Sequence, residues 1–251
     1  MTQFKDKVAI VTGGGRDIGR SISIKLAAAG AKVCINYAND TASAEETLRL
    51  VQAAGGSAIL HRADVTDPAQ VAGLVAATQA AFGPRIDVLV NVAGGMVQRR
   101  PLAEIDPAFF HTVMDLNMTS VYLTTHAVVP HMGEGAAIVN FASQAGRDGG
   151  GPGASIYATA KAAVMTFTRA MAKELGPRGI RVNALACGMI ATRFHDDFTK
   201  PEVRTAVAGS TPLRRQGHPD EPADVAVFLA SDGAGFITGA NVDVNGGTYF
   251  S

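Results

Sequence analysis

The sequence of residues 8–11, VAIV, runs directly into that of residues 12–19, TGGGRDIG, and this stretch predicts how the chain begins to fold. A short apolar run rich in β-branched residues is typical of a strand that is buried on both faces. Residues 18–29 then place Ile22, Leu26 and Ala29 on one helical face, and Gly30 follows at a position where a left-handed cap is common. We therefore expect a buried strand, a glycine turn and a helix, in that order.

The same alternation of strand and helix continues to the end of the chain. Further strands are predicted at 32–37, 57–62, 87–91, 137–141, 181–186 and 241–244. Further helices are predicted at 42–54, 68–82, within 107–131, at 157–175 and at 222–230. Regular alternation implies parallel strands joined by right-handed helical crossovers. No repeat or linker divides the chain, so the sequence predicts a single α/β domain over residues 1–251, with a doubly wound parallel sheet flanked by helices on both faces.

Composition limits the partners that this chain can have. Its 251 residues are 47% apolar and 18% charged, with 22 basic and 22 acidic side chains and a formal net charge of zero. A neutral surface argues against nucleic acid or an anionic membrane as the main partner. The two cysteines form neither a disulfide framework nor a metal-ligand pattern, and no apolar run reaches the roughly 20 residues of a membrane span. We expect a cytoplasmic protein without a metal.

The glycine turn is a candidate phosphate site. Glycine lets the backbone turn tightly and approach a pyrophosphate, whose charge then meets the positive end of the helix. A glycine cluster alone is weak evidence, but its position directly after the first buried strand strengthens it. Asp17 is out of place here, because a carboxylate near a pyrophosphate is unfavourable unless it turns away, for instance to cap the helix.

Tyr157-Ala158-Thr159-Ala160-Lys161 is the candidate catalytic stretch. Residues four apart on a helix share a face, and an ammonium held beside a tyrosine lowers the pKa of the phenol from its usual value near 10. The pair alone is a weak pattern that occurs often on helix surfaces. Two other residues strengthen it. Ser143 follows a buried strand, at the sheet edge where α/β proteins hold ligands, and Asn117 lies inside the long helix, where asparagine has low preference.

Together these motifs resemble those of the classical short-chain dehydrogenases/reductases. The order and rough spacing of Asn117, Ser143, Tyr157 and Lys161 resemble the catalytic tetrad of that family, and residues 12–19 resemble its T-G-x-x-x-G-x-G turn. The similarity extends from residue 7 to residue 247. It implies a Rossmann-type fold, a nicotinamide cofactor and a small-molecule carbonyl or alcohol as substrate.

The resemblance also implies a role for each member of the tetrad. Tyr157 would donate a proton to the carbonyl oxygen, and Ser143 would hydrogen-bond the same oxygen, where negative charge develops. Lys161 would lower the pKa of the tyrosine and hold the nicotinamide ribose. Asn117 would anchor a water relay that returns the proton.

Further residues are assigned to the cofactor by the same resemblance. Asp64 and Val65 would contact the adenine ring, while Ala93 and Gly94, in a motif that begins at Asn91, would let the cofactor approach the backbone. Asn91 itself would mainly fix strand ends. The complete set of predicted cofactor residues is Gly13, Gly15, Arg16, Ile18, Gly19, Asp64, Val65, Asn91, Ala93, Gly94, Tyr157, Lys161, Ile190 and Thr192.

The choice of cofactor depends on the end of the second strand. That strand has no acid before Asp40, whereas an acid there would bind the ribose hydroxyls and repel a 2′-phosphate. Arg16 can reach a 2′-phosphate, and in the family a basic residue at this position goes with NADP. We therefore expect NADP(H) as the preferred cofactor, with NAD(H) as the alternative.

The chain departs from the family pattern at several positions. Asp17 replaces the second glycine of the turn, and Cys187 replaces a proline, either as a reactive thiol or, more in keeping with its apolar neighbours, as a small space-filler. One extra residue separates Ser143 from Tyr157, and a glycine-rich loop at 146–153 absorbs it, with Arg147 and Asp148 interpreted as solvated charges. Residues 192–215 are the least regular segment and correspond to the variable substrate lid, which carries His195.

Three functions remain open at this point. The leading hypothesis is a 3-oxoacyl-type carbonyl reductase that resembles the 3-oxoacyl-[acyl-carrier-protein] reductases. A sugar, polyol or uronate dehydrogenase of the same family is the alternative, and a nucleotide-sensing protein without catalysis is a distant one, disfavoured by the complete tetrad. The last strand of the family often pairs across subunits, which predicts a homotetramer.

Overall fold

The structure, a computed structural model, describes residues 3–251 and is built on one sheet of seven parallel strands. The elements follow the chain in the order β1 Val8–Thr12, α1 Asp17–Ala28, β2 Lys32–Tyr37, α2 Thr41–Ala53, β3 Ser57–Arg62, α3 Pro68–Phe82, β4 Val88–Asn91, α4 Pro107–Met114, α5 Ser120–Val128, β5 Ala137–Ser143, α6 Ala145–Asp148, α7 Ser155–Leu175, β6 Arg181–Cys187, α8 Arg193–Phe198, α9 Pro201–Ser210, α10 Asp220–Ala230 and β7 Asn241–Val244. The predicted Rossmann-type α/β architecture is confirmed.

Strand order explains where a ligand can bind. The strands lie in the order β3-β2-β1-β4-β5-β6-β7, so β1 pairs with β2 on one side and with β4 on the other. The winding of the chain reverses between β1 and β4. In an open parallel sheet, this switch leaves a crevice at the carboxyl ends of the two strands. The glycine turn follows β1, and the segment from Val92 follows β4, so both lie at this crevice.

The first strand, β1, buries both of its faces, as its apolar run predicts. Ala9 and Val11 pack in the core beneath α1, α2 and α10, while Val8 and Ile10 pack on the other side of the sheet against α3, α5 and α7. Side chains alternate between the faces of a strand, so a strand covered on both sides needs an unbroken apolar run. Within residues 3–251, no helix is long and apolar enough to cross a membrane.

The structure differs from the sequence predictions in three segments. The predicted long helix within 107–131 is two helices, α4 and α5, joined through a π-helical turn at Asp115–Thr119. The expectation that residues 192–215 are irregular is wrong, because this segment forms α8 and α9. Pro201 at the first position of α9, followed by Glu202, is a helix-start signal that was present in the sequence. The glycine-rich loop likewise begins with the short helix α6.

Candidate active site

A cleft of about 1000 Å³ opens at the carboxyl ends of the central strands. Most of the predicted site residues line it, namely Gly13, Gly15, Arg16, Ile18, Gly19, Ala93, Gly94, Ser143, Tyr157, Lys161, Ile190 and Thr192. Four predicted residues do not line it: Asp64, Val65, Asn91 and Asn117. The structure therefore brings the glycine turn and the Tyr–Lys pair to one cavity, as the sequence predicts.

The glycine turn leaves room for no side chain at its two key glycines. Gly13 has φ +61°, and a Cβ there would lie 3.1 Å from the backbone of Ala93. A Cβ on Gly19 would overlap the carbonyl oxygen of Gly13. These two glycines let the backbone of the turn pack closely at the start of α1, where the helix dipole favours a phosphate. These residues fit a dinucleotide.

Asp17 turns away from the start of the helix rather than capping it. It adopts φ +49°, in the left-handed region that its glycine counterpart enters without strain. Its carboxylate accepts a long hydrogen bond of 3.5 Å from the backbone N–H of Arg193 and lies 3.8 Å from the Arg16 guanidinium. The suggested role as a cap of α1 is therefore wrong, because the carboxylate faces the lid.

Asn91 lies beneath the cleft and holds strand ends together. Its amide donates to Asn140 Oδ1 at 2.9 Å, and its own Oδ1 accepts from Thr124 at 2.8 Å, all of them buried. Thr12 makes a similar connection, since its hydroxyl oxygen accepts from the N–H groups of Val92 and Ala93. The wall that carries Ala93 and Gly94 is fixed from below by these bonds.

The predicted adenine contacts, Asp64 and Val65, lie away from the cleft in this structure. Asp64 is exposed, and its carboxylate accepts from the N–H and the hydroxyl of Thr66. Val65 is buried in the hydrophobic core beside Val71 and Leu74. Their assignment to the cofactor stays a prediction.

Ser143, Tyr157 and Lys161 meet at one end of the cleft. Ser143 is the last residue of β5, which extends two residues beyond the predicted strand, and the other two lie in the first turns of α7. Lys161 is only 4% exposed, and its ammonium donates to the carbonyl oxygen of Phe141 at 2.7 Å. That ammonium lies 5.9 Å from the centre of the Tyr157 ring. A carbonyl drawn into this end of the cleft would meet two hydroxyl groups with a cation behind them.

Asn117 lies in the π-helical turn and is fully buried. Its amide donates to the carbonyl oxygens of Gly95 and Val113, at 2.7 and 2.9 Å, and its Oδ1 accepts from the N–H of Gly95 at 3.0 Å. A Cβ on Gly94 would lie 2.8 Å from that Oδ1 and 3.0 Å from the Lys161 ammonium. The backbone of Gly94 thus lies directly between Asn117 and Lys161, with no space for a side chain. Single π-helical turns inside α-helices are often found at functional sites.

Burial shifts the pKa values of the tyrosine and the lysine in opposite directions. It raises the pKa of Tyr157 to about 12, against a hydrogen bond from Ser143 that lowers it. It lowers the pKa of Lys161 to about 8, because a charged group loses hydration in the interior. The Lys161 ammonium donates to Phe141 in this structure, and the lowering of the tyrosine pKa by Lys161 stays a prediction. At neutral pH the phenol keeps the proton that it would donate.

Cys187 lines the cleft beside these residues, at the end of β6 and in register with Ser143. Burial raises the pKa of its thiol to about 12, although the charge of Lys161 lowers it. Only the thiolate is a strong nucleophile, so the raised pKa disfavours reaction of this thiol at neutral pH. Its environment agrees with a space-filling role.

The lid forms the outer wall of the same end of the cleft. The ring of Phe194, in α8, lies 5.7 Å from that of Tyr157 and 5.3 Å from that of Phe198. Arg99 donates to the carbonyl oxygens of Phe198 and Pro152, each at 3.0 Å, and so links α8 to the glycine-rich loop. Sequence reasoning missed Arg99 and these aromatic residues, and no local motif indicates them.

Arg147 and Asp148 have different environments. The interpretation of Arg147 as a solvated charge is wrong, because its side chain is only 15% exposed and pairs with Asp243 of β7 at 2.8 Å. It also donates to the carbonyl oxygen of Asn241 at 2.7 Å. Asp148 is exposed and caps the turn at Gly150. Arg147 therefore ties the loop after Ser143 to the last strand.

The other end of the cleft carries charged residues that sequence reasoning missed. Asp40 caps α2, since its carboxylate accepts from the N–H and the hydroxyl of Ser43 at 3.1 and 2.9 Å. These hydrogen bonds hold the pKa of Asp40 below its usual value, with smaller contributions from Arg16 and Arg193. An Asp directly before a predicted helix is an N-cap signal, so this role was readable from the sequence. The approach of Arg193, from the lid, was not.

Comparison with known proteins assigns the family. A family model described as Enoyl-(Acyl carrier protein) reductase matches residues 13–249. The structure of a short-chain dehydrogenase/reductase from Serratia marcescens superimposes with a TM-score of 0.91 at 33% identity, over 97% of this chain and 98% of that one. The chain belongs to the short-chain dehydrogenase/reductase family. It is an NAD(P)-dependent oxidoreductase, as the sequence predicts.

Three further proteins are similar to this chain over nearly its whole length. The 3-oxoacyl-[acyl-carrier-protein] reductase of Synechocystis is 40% identical over 98% of both chains. The NADH-dependent reductase A1-R′, responsible for alginate metabolism, has a TM-score of 0.91 and 37% identity over 100% of both chains. A blue fluorescent protein from a metagenomic library, solved with NADPH, has a TM-score of 0.92 and 32% identity over 99% of this chain and 100% of that one.

Proposed function

We propose that this dehydrogenase/reductase reduces the carbonyl of a 3-oxoacyl-type substrate with NADP(H). The observation that carries the proposal is a single cleft with Ser143, Tyr157 and Lys161 at one end and the glycine turn with Arg16 at the other. The likeness to the 3-oxoacyl-[acyl-carrier-protein] reductase of Synechocystis over nearly the whole chain supports it.

Each residue of the site has a chemical task in this reaction. The cofactor, when bound, supplies the hydride. Tyr157 keeps its proton at neutral pH because burial raises its pKa to about 12, so it donates that proton only as charge develops on the carbonyl oxygen. Ser143 donates a second hydrogen bond to the same oxygen. Lys161, with a pKa near 8, is mostly charged at neutral pH and stabilises the phenolate that the transfer leaves behind.

Asn117 acts on this site from within the fold. Two of its hydrogen bonds join the π-helical turn to Gly95 and so hold Gly94 against Lys161, and the third ties the Asn117 amide to Val113 in α4. The ammonium is therefore kept at a fixed distance from Tyr157. The water relay that the family resemblance implies for Asn117 stays a prediction.

The walls of the substrate end favour an acyl substrate. Met96, Leu116, Phe194, Phe198 and Val207 give this end an apolar surface. Such a surface suits an alkyl chain better than a polyol, whose hydroxyl groups need hydrogen-bond partners.

A sugar or uronate substrate is the second candidate. Arg99 and His195 line the same end of the cleft, and a guanidinium is suited to bind a carboxylate. The likeness to the A1-R′ reductase of alginate metabolism adds weight to it. A uronate would be held by Arg99, whereas an acyl chain would not need it.

Replacing Tyr157 by Phe tests the proposed chemistry. The variant keeps the ring, and thereby its packing on Phe194, but it has no proton to donate. We expect kcat to fall by roughly 10²-fold or more while the Kd for NADPH stays within about twofold of wild type. Activity near that of wild type would disprove the mechanism.

A substrate panel separates the two candidates. It should contain acyl, sugar and uronate carbonyls, each with NADPH and with NADH. A preference for acyl substrates supports the first candidate, and a preference for uronates that Arg99→Ala abolishes supports the second. If the wild type binds the cofactor tightly and turns over no carbonyl, a nucleotide-sensing role replaces both.

We also propose a homotetramer located in the cytoplasm. Strand β7 forms one edge of the sheet, and Phe250 and Leu213 are 82% and 61% exposed beside it. Exposed apolar side chains next to an unpaired edge strand are typical of an interface.

A further inference from the structure

Five charged side chains form an ionic cluster across the mouth of the cleft, at the end away from Tyr157. The glycine turn supplies Arg16 and Asp17, the start of α2 supplies Asp40, and the lid helix α8 supplies Arg193 and Asp197. All five residues line the cleft. The cluster therefore joins the part of the chain that would hold adenosine to the part that covers the substrate.

Asp40 is the centre of the cluster. One of its oxygens, Oδ2, lies 3.8 Å from the Arg16 guanidinium and 3.4 Å from the Arg193 guanidinium. Both oxygens also accept hydrogen bonds from Ser43. A single carboxylate thus attracts two cations that come from opposite sides of the cleft.

The geometry of these pairs suits exchange rather than stability. Their separations are longer than the 2.7–2.9 Å of a strong charge-assisted hydrogen bond, and the side chains are 32–58% exposed. Such surface pairs contribute little to folding and are screened by salt. A ligand with more charge and more acceptor oxygens can replace the carboxylate at small cost.

We propose that Arg193 is a second cation, besides Arg16, for the 2′-phosphate of NADP(H), and that Asp40 holds both arginines in place until that phosphate arrives. This inference rests on the proposed function. A phosphate monoester carries a charge of about −1.5 to −2 at pH 7 and three acceptor oxygens, against one unit of charge on Asp40. A guanidinium binds such a group through two parallel N–H bonds, which the long contacts to Asp40 do not provide. NAD(H) has hydroxyl groups at this position, so it cannot replace the Asp40 carboxylate as the partner of the two arginines.

The position of Arg193 ties cofactor identity to the lid. Arg193 is the first residue of α8, and Phe194, the next residue, packs on Tyr157. A phosphate that draws the guanidinium toward α2 therefore fixes α8 over the substrate end as well. NADP(H) closes the cleft more firmly than NAD(H) does.

Binding of each cofactor to four variants of the full chain tests the proposal, read from the fluorescence of NADPH and NADH. Arg193→Ala should raise the Kd for NADPH about tenfold and leave the Kd for NADH within about twofold. Asp40→Asn should lower the Kd for NADPH several-fold, because asparagine caps a helix as well as aspartate does but does not attract the arginines. Arg16→Ala is the positive control. Arg204→Ala is the matched lid control, since Arg204 pairs with Asp196 and Gln216 outside the cluster.

Three outcomes would overturn the proposal. Equal weakening of NADPH and NADH by Arg193→Ala would mean that this arginine serves the pyrophosphate or the lid in general. Weaker NADH binding in Asp40→Asn, without a gain for NADPH, would mean that Asp40 binds the ribose hydroxyls directly. No change in Arg193→Ala would likewise disprove the proposal.

Hydrogen exchange of the α8 amides gives a second readout that does not depend on turnover. NADPH should protect residues 193–198 more than NADH does in the wild type, and this difference should disappear in Arg193→Ala. Equal protection by both cofactors in the wild type would disprove the link to the lid.

If these results appear but no carbonyl is reduced, the proposed substrate chemistry fails while this inference stands. If carbonyls are reduced and Arg193→Ala binds NADPH normally, only this inference fails.

Discussion

Gly94 lies between two buried polar groups of the tetrad, Asn117 and Lys161. Replacing this single residue tests whether it sets their spacing. A methyl group there would lie 2.8 Å from Asn117 Oδ1 and 3.0 Å from Lys161 Nζ, both already held by hydrogen bonds. One of these groups must move. Misplacement by about 1 Å can cost on the order of 100-fold in rate, so we expect a loss of that size in the kcat of Gly94→Ala.

The neighbouring glycine provides the control. A Cβ on Gly95 would lie 3.7 Å from Leu116, an ordinary contact, so Gly95→Ala should keep its activity within about twofold of wild type. Steady-state kinetics of the two variants, with melting curves to confirm folding, makes the comparison. Equal activity in both variants would refute the idea that Gly94 sets the Asn117–Lys161 spacing.

Individual site residues could be predicted where a local sequence motif indicates them. Ser143, Tyr157 and Lys161 were found because the end of a strand and the start of a helix fix their positions, and the structure brings them to one cleft. Arg193 was not found, because its partner Asp40 is 153 residues away in the sequence and Arg193 itself belongs to no motif. The protonated state of Tyr157 could not be predicted either, since it depends on burial and on the direction in which Lys161 points.

At the scale of elements, the lid helix α8 contains a histidine that should make its stability depend on pH. Burial lowers the pKa of His195 to about 4, with further lowering by Arg204 and Arg99 and an opposing effect of Asp196. The unfolded chain binds a proton at this residue below about pH 6.5, whereas the folded chain does not until about pH 4. The stabilising contribution is therefore complete above pH 6.5 and is lost as the pH falls from 6.5 to 4.

His195→Gln should reduce this acid sensitivity. After allowance for partial exposure, we expect the wild type to lose on the order of 1 kcal/mol more than the variant between pH 7 and pH 5, or roughly 2–4 °C in Tm. Melting curves over this range measure the difference, with the exposed His126→Gln as the control. Parallel curves for wild type and His195→Gln would show that the histidine is not buried in its neutral form.

Helices and strands could be predicted to different extents for a physical reason. The central strands, such as β1 and β4, are buried on both faces, so they appear in the sequence as largely apolar runs. The lid helices have no buried face of that kind, and within α8 and α9 the structure describes no fully buried residue. Only their end signals, such as Pro201, remain in the sequence. The ion pair between Arg147 and Asp243 escaped prediction because it joins a glycine-rich loop to a strand 96 residues later.

The whole molecule was the most predictable level, because the alternation of elements implies a parallel sheet with right-handed crossovers. Assembly into an oligomer depends on surface residues that contribute nothing to the folding of a single chain. One edge of the sheet, β3, has polar or basic side chains at His61 and Arg62, which oppose pairing with another chain. The other edge, β7, carries Val242 and Val244 and adjoins a hollow of about 570 Å³ that Leu213 and Phe250 line.

This difference between the two edges predicts where the proposed tetramer is joined. Sedimentation equilibrium of the wild type should give about four times the chain mass of 25.9 kDa. Phe250→Ser combined with Leu213→Ser should reduce the mass to that of dimers, because a tetramer with two kinds of interface keeps the other one. Val203→Ser, at an exposed apolar position on α9, should leave the tetramer intact. A tetramer that survives the double substitution would place its interface elsewhere on the surface, and a wild type that sediments as a monomer would contradict the assembly itself.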